Sequence, residues 1–197
     1  MLKRIFISII TTFVIILGIA NTSQAREITQ VPHWQKKVIN VYIPKDGDKK
    51  TISMIKSAFA KWQSVSAGHI SFTYVEKAPG DIDIIFKDAA SSSSGPISKT
   101  SVVTSGNSIT KAEITIATDD KQYKKYPDKY VSTILLHEVG RSLGLPTNDR
   151  KPSSIMHTPV TEKQNLMKMD TVKLFSISEW NYSKRRLEEN KDKDKDK

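Results

Sequence analysis

Residues 136–147 read LHEVGRSLGLPT, and the fold turns on how that stretch is understood. The preceding segment, KYVSTIL (residues 129–135), is apolar enough to continue into it as a buried helix, and Gly144 sits where a helix is expected to stop. Residues four apart on a helix project from one face, so a His followed by a second ligand at i+4 can hold one metal ion between them. A Glu next to the first His can then act as general base on a metal-bound water. In this stretch His137 and Glu138 occupy the first two roles, but Arg141 stands at i+4 and Thr147 stands beyond the glycine turn.

Working outward, the N-terminal side reads as a β-rich half. Residues 38–43, VINVYI, alternate with Ile39, Val41 and Ile43 on one face, which predicts a strand. Ile52, Ile55, Phe59 and Trp62 then recur at helical spacing, with Gly68 as the stop. Residues 70–75 and 81–86 show period-two patterns across a Pro79-Gly80 turn and are expected as neighbouring strands. Residues 88–111, rich in Ser, Gly and Thr, read as a long surface loop with one short strand at 101–104. AEITIAT, residues 112–118, is another strand, and a last helix is expected to begin near Asp170.

His137, Glu138, Gly140, Leu143, Gly144 and Leu145 match the pattern HExGHxLGLxH residue by residue, and Ser154-Ile155-Met156 follows as a downstream SIM. In these features the chain resembles the matrixin family of metzincin zinc endopeptidases. The resemblance implies an α+β fold: a twisted mixed sheet with a long helix on it, an active-site helix, a Met-turn at Met156 and a C-terminal helix. It also implies that residues 112–118 form the edge strand on which substrate is laid, that Glu138 is the catalytic base, and that His137 is a zinc ligand.

The remaining ligands do not carry over. A guanidinium stays protonated and has no lone pair for a metal, so Arg141 cannot replace the second His. A neutral Thr hydroxyl is not among the usual zinc ligands, which disqualifies Thr147 as the third. Water activation needs the metal to lower its pKa from ~15.7 to ~7, and one imidazole beside a fixed cation should not retain zinc for that work. Zinc is therefore expected to be weak or absent, with Arg141 in the metal's place and paired to Glu138 at i+3. Asp149 and His157 are the candidate substitutes; His157 reads first as pocket wall, His33 and His69 as surface or core residues, and Met156 and Trp62 as core. A calcium site at Asp88, Asp119 or Asp120 has no support beyond isolated aspartates.

Composition sets the outer bounds. Residues 1–25 combine Lys3 and Arg4, an apolar run at 5–20 and Ser23-Gln24-Ala25, the three parts of a signal peptide, so the protein is expected to be secreted. The competing reading is an uncleaved anchor, although the run falls short of the roughly 18 residues that suggest a spanning helix. Residues 26–187 are expected to form one matrixin-like domain, a monomer, and residues 188–197, NKDKDKDK with its flank, a disordered charged tail. Cysteine is absent, which excludes disulfides, a thiol ligand and a thiol nucleophile. The net charge of +10 favours anionic surfaces such as cell-envelope polymers; the lysines are scattered without aromatic interleaving, so no specific nucleic-acid partner is implied. Three functions are in play: an inactive or impaired peptidase that binds extended protein or peptide, an active zinc endopeptidase with a non-standard ligand set, and a basic envelope-binding protein.

Overall fold

A computed structural model describes residues 31–87, 97–118, 125–148 and 150–180. The segment 1–25 expected as a signal peptide, the tail 188–197, Asp88, Asp119, Asp120 and Asp149 lie outside the described residues. The element order is β1 (Val38–Tyr42), α1 (Lys49–Val65), β2 (Ser71–Val75), β3 (Ile82–Phe86), β4 (Ser98–Ser105), β5 (Ser108–Ile116), α2 (Asp128–Ser142) and α3 (Lys168–Ile177). The α+β architecture expected from the sequence is the one observed.

The strands form one sheet in the order β2-β1-β3-β5-β4, parallel except for the β4/β5 pair. β2 and β3 are therefore not neighbours, contrary to the sequence expectation, because β1 lies between them and pairs with both. α1 carries the chain from β1 to the parallel β2, residues 76–81 pass over the end of β1 to reach β3, and β5 comes back parallel to β3 through the β4 hairpin. The second correction concerns the Ser-rich segment: residues 98–105 are a full strand, closed onto β5 by a tight turn with Gly106 at φ +56°. That positive φ is the first position of a two-residue hairpin turn, where glycine carries no steric cost. The third follows from the second: residues 112–116 lie inside the sheet as part of β5, and β4 is the edge strand on that side, β2 on the other.

Ile39, Val41, Ile82, Ile84, Ile114 and Ile116 point from β1, β3 and β5 into the core, which is closed by Ile55, Phe59 and Trp62 from α1. The start of α1 is fixed by Asp48, whose carboxylate accepts the Thr51 amide at 2.9 Å. That bond is the main reason the Asp48 carboxyl is held below its ordinary range. Phe59 meets Phe72 of β2 edge to face at 4.8 Å, so α1 is anchored over one end of the sheet while Trp62 reaches the second helix.

Candidate active site

α2 is nearly all interior: Val131, Leu135, Leu136 and Val139 are buried, and so are His137 and Glu138, at 5% and 8% exposure. Two indoles locate it. Trp62 Nε1 donates to the Leu136 carbonyl at 2.8 Å, and Trp34 Nε1 donates to the Ser142 carbonyl at 2.9 Å, one at mid-helix and one at its end. Gly140 is required by close approach, since a Cβ there would lie 2.6 Å from Met156 Sδ and 2.7 Å from Trp62 Cζ2. The helix ends in a Schellman arrangement. Gly144, at φ +92°, donates to Arg141 O, and Leu145 donates to Gly140 O, so the chain reverses at the glycine that marked the stop.

Beyond the reversal, Asn148 N donates to Met156 O at 2.7 Å, tying the returning chain to the Met-turn. Beneath it Asp170, buried at 3%, accepts from Ser154 Oγ, from the Ile155 amide and from the Met167 amide. One carboxylate thus closes the Met-turn and starts α3 at the same time. Ile155 and Met156 are fully packed below α2.

His137 Nδ1 lies 2.8 Å from the Ile155 carbonyl, an acceptor, so Nδ1 carries the proton and Nε2 keeps its lone pair. Burial pushes the His137 pKa down, with the Arg141 charge acting the same way and the Ile155 carbonyl and Glu138 opposing. The ring is therefore neutral near pH 7, the state a metal ligand needs. Position 141 contributes nothing comparable: Arg141 Nη1 donates to the Leu145 carbonyl at 2.7 Å, where it caps the end of α2, and a guanidinium has no lone pair. Thr147 is exposed.

The expected Arg141–Glu138 pair is not formed. Glu138 Oε1 accepts from Ser98 Oγ at 2.9 Å, and Oε2 accepts from Thr100 Oγ1 at 2.5 Å. Both hydroxyls come from β4, so the carboxylate is turned toward the edge strand, and the guanidinium is satisfied by a carbonyl of its own helix end instead. His157, expected as pocket wall, braces the returning chain, with Nδ1 donating to Asn148 O at 2.8 Å. His33 is buried and bonded to Gln35 and Val31, and His69 is half-buried against Trp180, so neither joins His137. Among the described residues no three His, Cys, Asp or Glu side chains converge on one point. Sequence reading missed Ser98, Thr100, Asp170 and Trp34. An S-x-T spacing was the available signal for the first two, hidden by the Ser-rich run before it.

The mixed sheet, the helix broken at a glycine and the methionine turn under His137 together define a metallopeptidase-type domain of the metzincin kind. The matrixin (peptidase M10) family model matches residues 33–178, and the chain belongs to that family. Matrixins are zinc-dependent peptidases. A search of curated proteins returned no match.

Proposed function

We propose that this is a secreted matrixin domain with a degenerate zinc site, an inactive or severely impaired peptidase that binds extended peptide along β4 without cutting it. The observation that carries this reading is the Arg141 guanidinium, bonded to Leu145 O at the helix position where a second imidazole would face His137 Nε2. One neutral imidazole, a cation and an exposed hydroxyl do not fit a zinc ion, for which a catalytic set comprises three protein donors and water. Glu138 keeps the family's general-base position by resemblance, but both its oxygens already accept hydroxyl protons from Ser98 and Thr100. β4, an outer strand, pairs on its far side with no strand among the described residues, the requirement for adding a peptide strand. Export rests on the segment 1–25; no helix among the described residues is long and apolar enough to cross a membrane.

The test is the double variant Arg141→His with Thr147→His. It is expected to take up zinc and to hydrolyse casein in a chelator-sensitive way, while the native protein does neither. One tightly bound zinc per native chain, or chelator-sensitive cleavage by the native protein that is lost in Glu138→Ala, overturns the proposal in favour of an active enzyme with a non-standard ligand set.

A further inference from the structure

A cavity of 460 Å³ opens away from His137, Glu138, Arg141 and Thr147, none of which lines it. Its wall is built from three separate parts of the chain: the lead into β1 (His33, Trp34, Lys36, Lys37), the turn after α1 (His69) and the segment after α3 (Trp180). The size lies within the range of about 300–1,000 Å³ usual for small-ligand sites. What separates it from an ordinary surface cleft is the combination of flat rings with unspent polar groups.

His69 and Trp180 stack at 4.7 Å with their planes 10° apart, and Phe175 abuts both edge to face, so the pair is held rigid. The turn bearing His69 is fixed as well, with Ser66 Oγ receiving the Ile70 amide and Gly68 at φ +78°. Trp34 is locked by its bond to Ser142 O. Preorganised rings lose little freedom on binding.

The charges sort cleanly. Lys36 is neutralised by Asp81, and its ammonium lies 5.9 Å from the Trp34 ring. His33 has both ring nitrogens engaged, by Val31 O and Gln35. Lys37 has no acidic partner among the described residues, and the His69 ring has no hydrogen-bond partner among them. Among the described residues the cavity therefore offers a cation with no acidic partner, an imidazole with no hydrogen-bond partner and the Trp180 indole, with the buried Trp34 behind them, within a mainly polar wall.

We infer that this cavity binds a saccharide carrying an anionic group, with a sugar ring against the Trp180–His69 pair and the anion at Lys37. An apolar ligand would strand the polar wall, and a bare anion would leave the rings unused. A polyhydroxylated ring with one negative charge uses both, and the chain stays strongly basic even without Lys3 and Arg4, which draws such polymers to the protein.

The experiment is titration of the purified protein, by calorimetry and tryptophan fluorescence, with a galacturonate trimer, a sulfated trisaccharide, maltotriose and inorganic phosphate. At least one charged trisaccharide is expected to bind about tenfold more tightly than maltotriose, and inorganic phosphate is expected not to displace it. Lys37→Glu, an exposed change that leaves the packing alone, is expected to weaken binding about tenfold or more; Trp180→Leu should do the same, with its thermal midpoint measured alongside. Which charged trisaccharide binds identifies the anion. Equal binding of maltotriose, displacement by phosphate, no binding of either charged trisaccharide, or unchanged affinity in Lys37→Glu each overturns the inference.

Discussion

Replacing Glu138 by Ala separates two roles for that carboxylate. In an active peptidase a general base faces solvent and the reacting water, and removing it leaves stability level or raised, because such groups are kept at some cost to the fold. Here Glu138 is 8% exposed and its oxygens accept Ser98 Oγ at 2.9 Å and Thr100 Oγ1 at 2.5 Å. Hydrogen bonds to a charged group contribute about 1.5–3 kcal/mol each. Ser98 is itself 7% exposed and would be left without its acceptor, whereas Thr100 Oγ1, half-buried at the edge, keeps the backbone carbonyl of position 138 as acceptor at 3.1 Å. The sum points to a loss of about 2–4 kcal/mol for Glu138→Ala. Glu138→Gln should cost only about 1 kcal/mol, because one hydroxyl still donates to the amide oxygen and the other turns to accept from the amide. Urea unfolding followed by tryptophan fluorescence measures both. A companion cycle with Ser98→Ala and Thr100→Val should show coupling to position 138, as contacting residues do. An Ala variant as stable as the native protein, or more so, refutes the idea that Glu138 clamps the edge strand to α2.

Burial lowers the folded-state pKa of His137 below its ordinary value of 6.5, so at mildly acidic pH the unfolded chain binds the proton and the folded one does not. The metal-free protein should hold this contribution in full above about pH 6.5 and lose it as pH falls through that value toward the folded pKa; His137→Gln should flatten that part of the pH dependence of the melting midpoint. A native slope unchanged by the substitution counts against the assignment. Gly140→Ala should destabilise by about 1–3 kcal/mol in urea, because its Cβ collides with Met156 Sδ and with the fully buried Trp62 ring, which its bond to Leu136 O holds in place. Full stability in that variant would mean that the Trp62–Met156 packing is looser than described.

How much of this was legible depends on where each residue finds its partner. α1 and β1 were readable because Ile55, Phe59, Trp62, Ile39 and Val41 all face one apolar core, so period and burial coincide. Gly144 was readable because a Schellman stop is local chemistry. β4 was not. Its side chains at 98 and 100 face α2 with hydroxyls, not hydrocarbon, because their partner is the Glu138 carboxylate, so a strand of the sheet carries the composition of a loop. The place of β1 between β2 and β3 was hidden for another reason: parallel pairing joins segments far apart in sequence, and no local pattern records the order. The Arg141–Glu138 pair failed because helical spacing makes an ion pair available without making it the best option. A strand outside the helix supplied two hydroxyl donors to one partner, and the helix end supplied a carbonyl to the other.

Arg141 also explains how a matrixin domain can keep its shape with a ligand position given up. In a three-imidazole site the ion would join the helix, through its two ligands, to the chain that returns after the glycine turn. In this protein the guanidinium of Arg141 reaches Leu145 O, one residue past that turn, and the returning chain is held further on by Asn148 N on Met156 O and by His157 Nδ1 on Asn148 O. His137 is steadied from below by the Ile155 carbonyl, and Ile155 by Asp170. Helix, turn and Met-turn are thus closed into one hydrogen-bonded ring by protein groups alone.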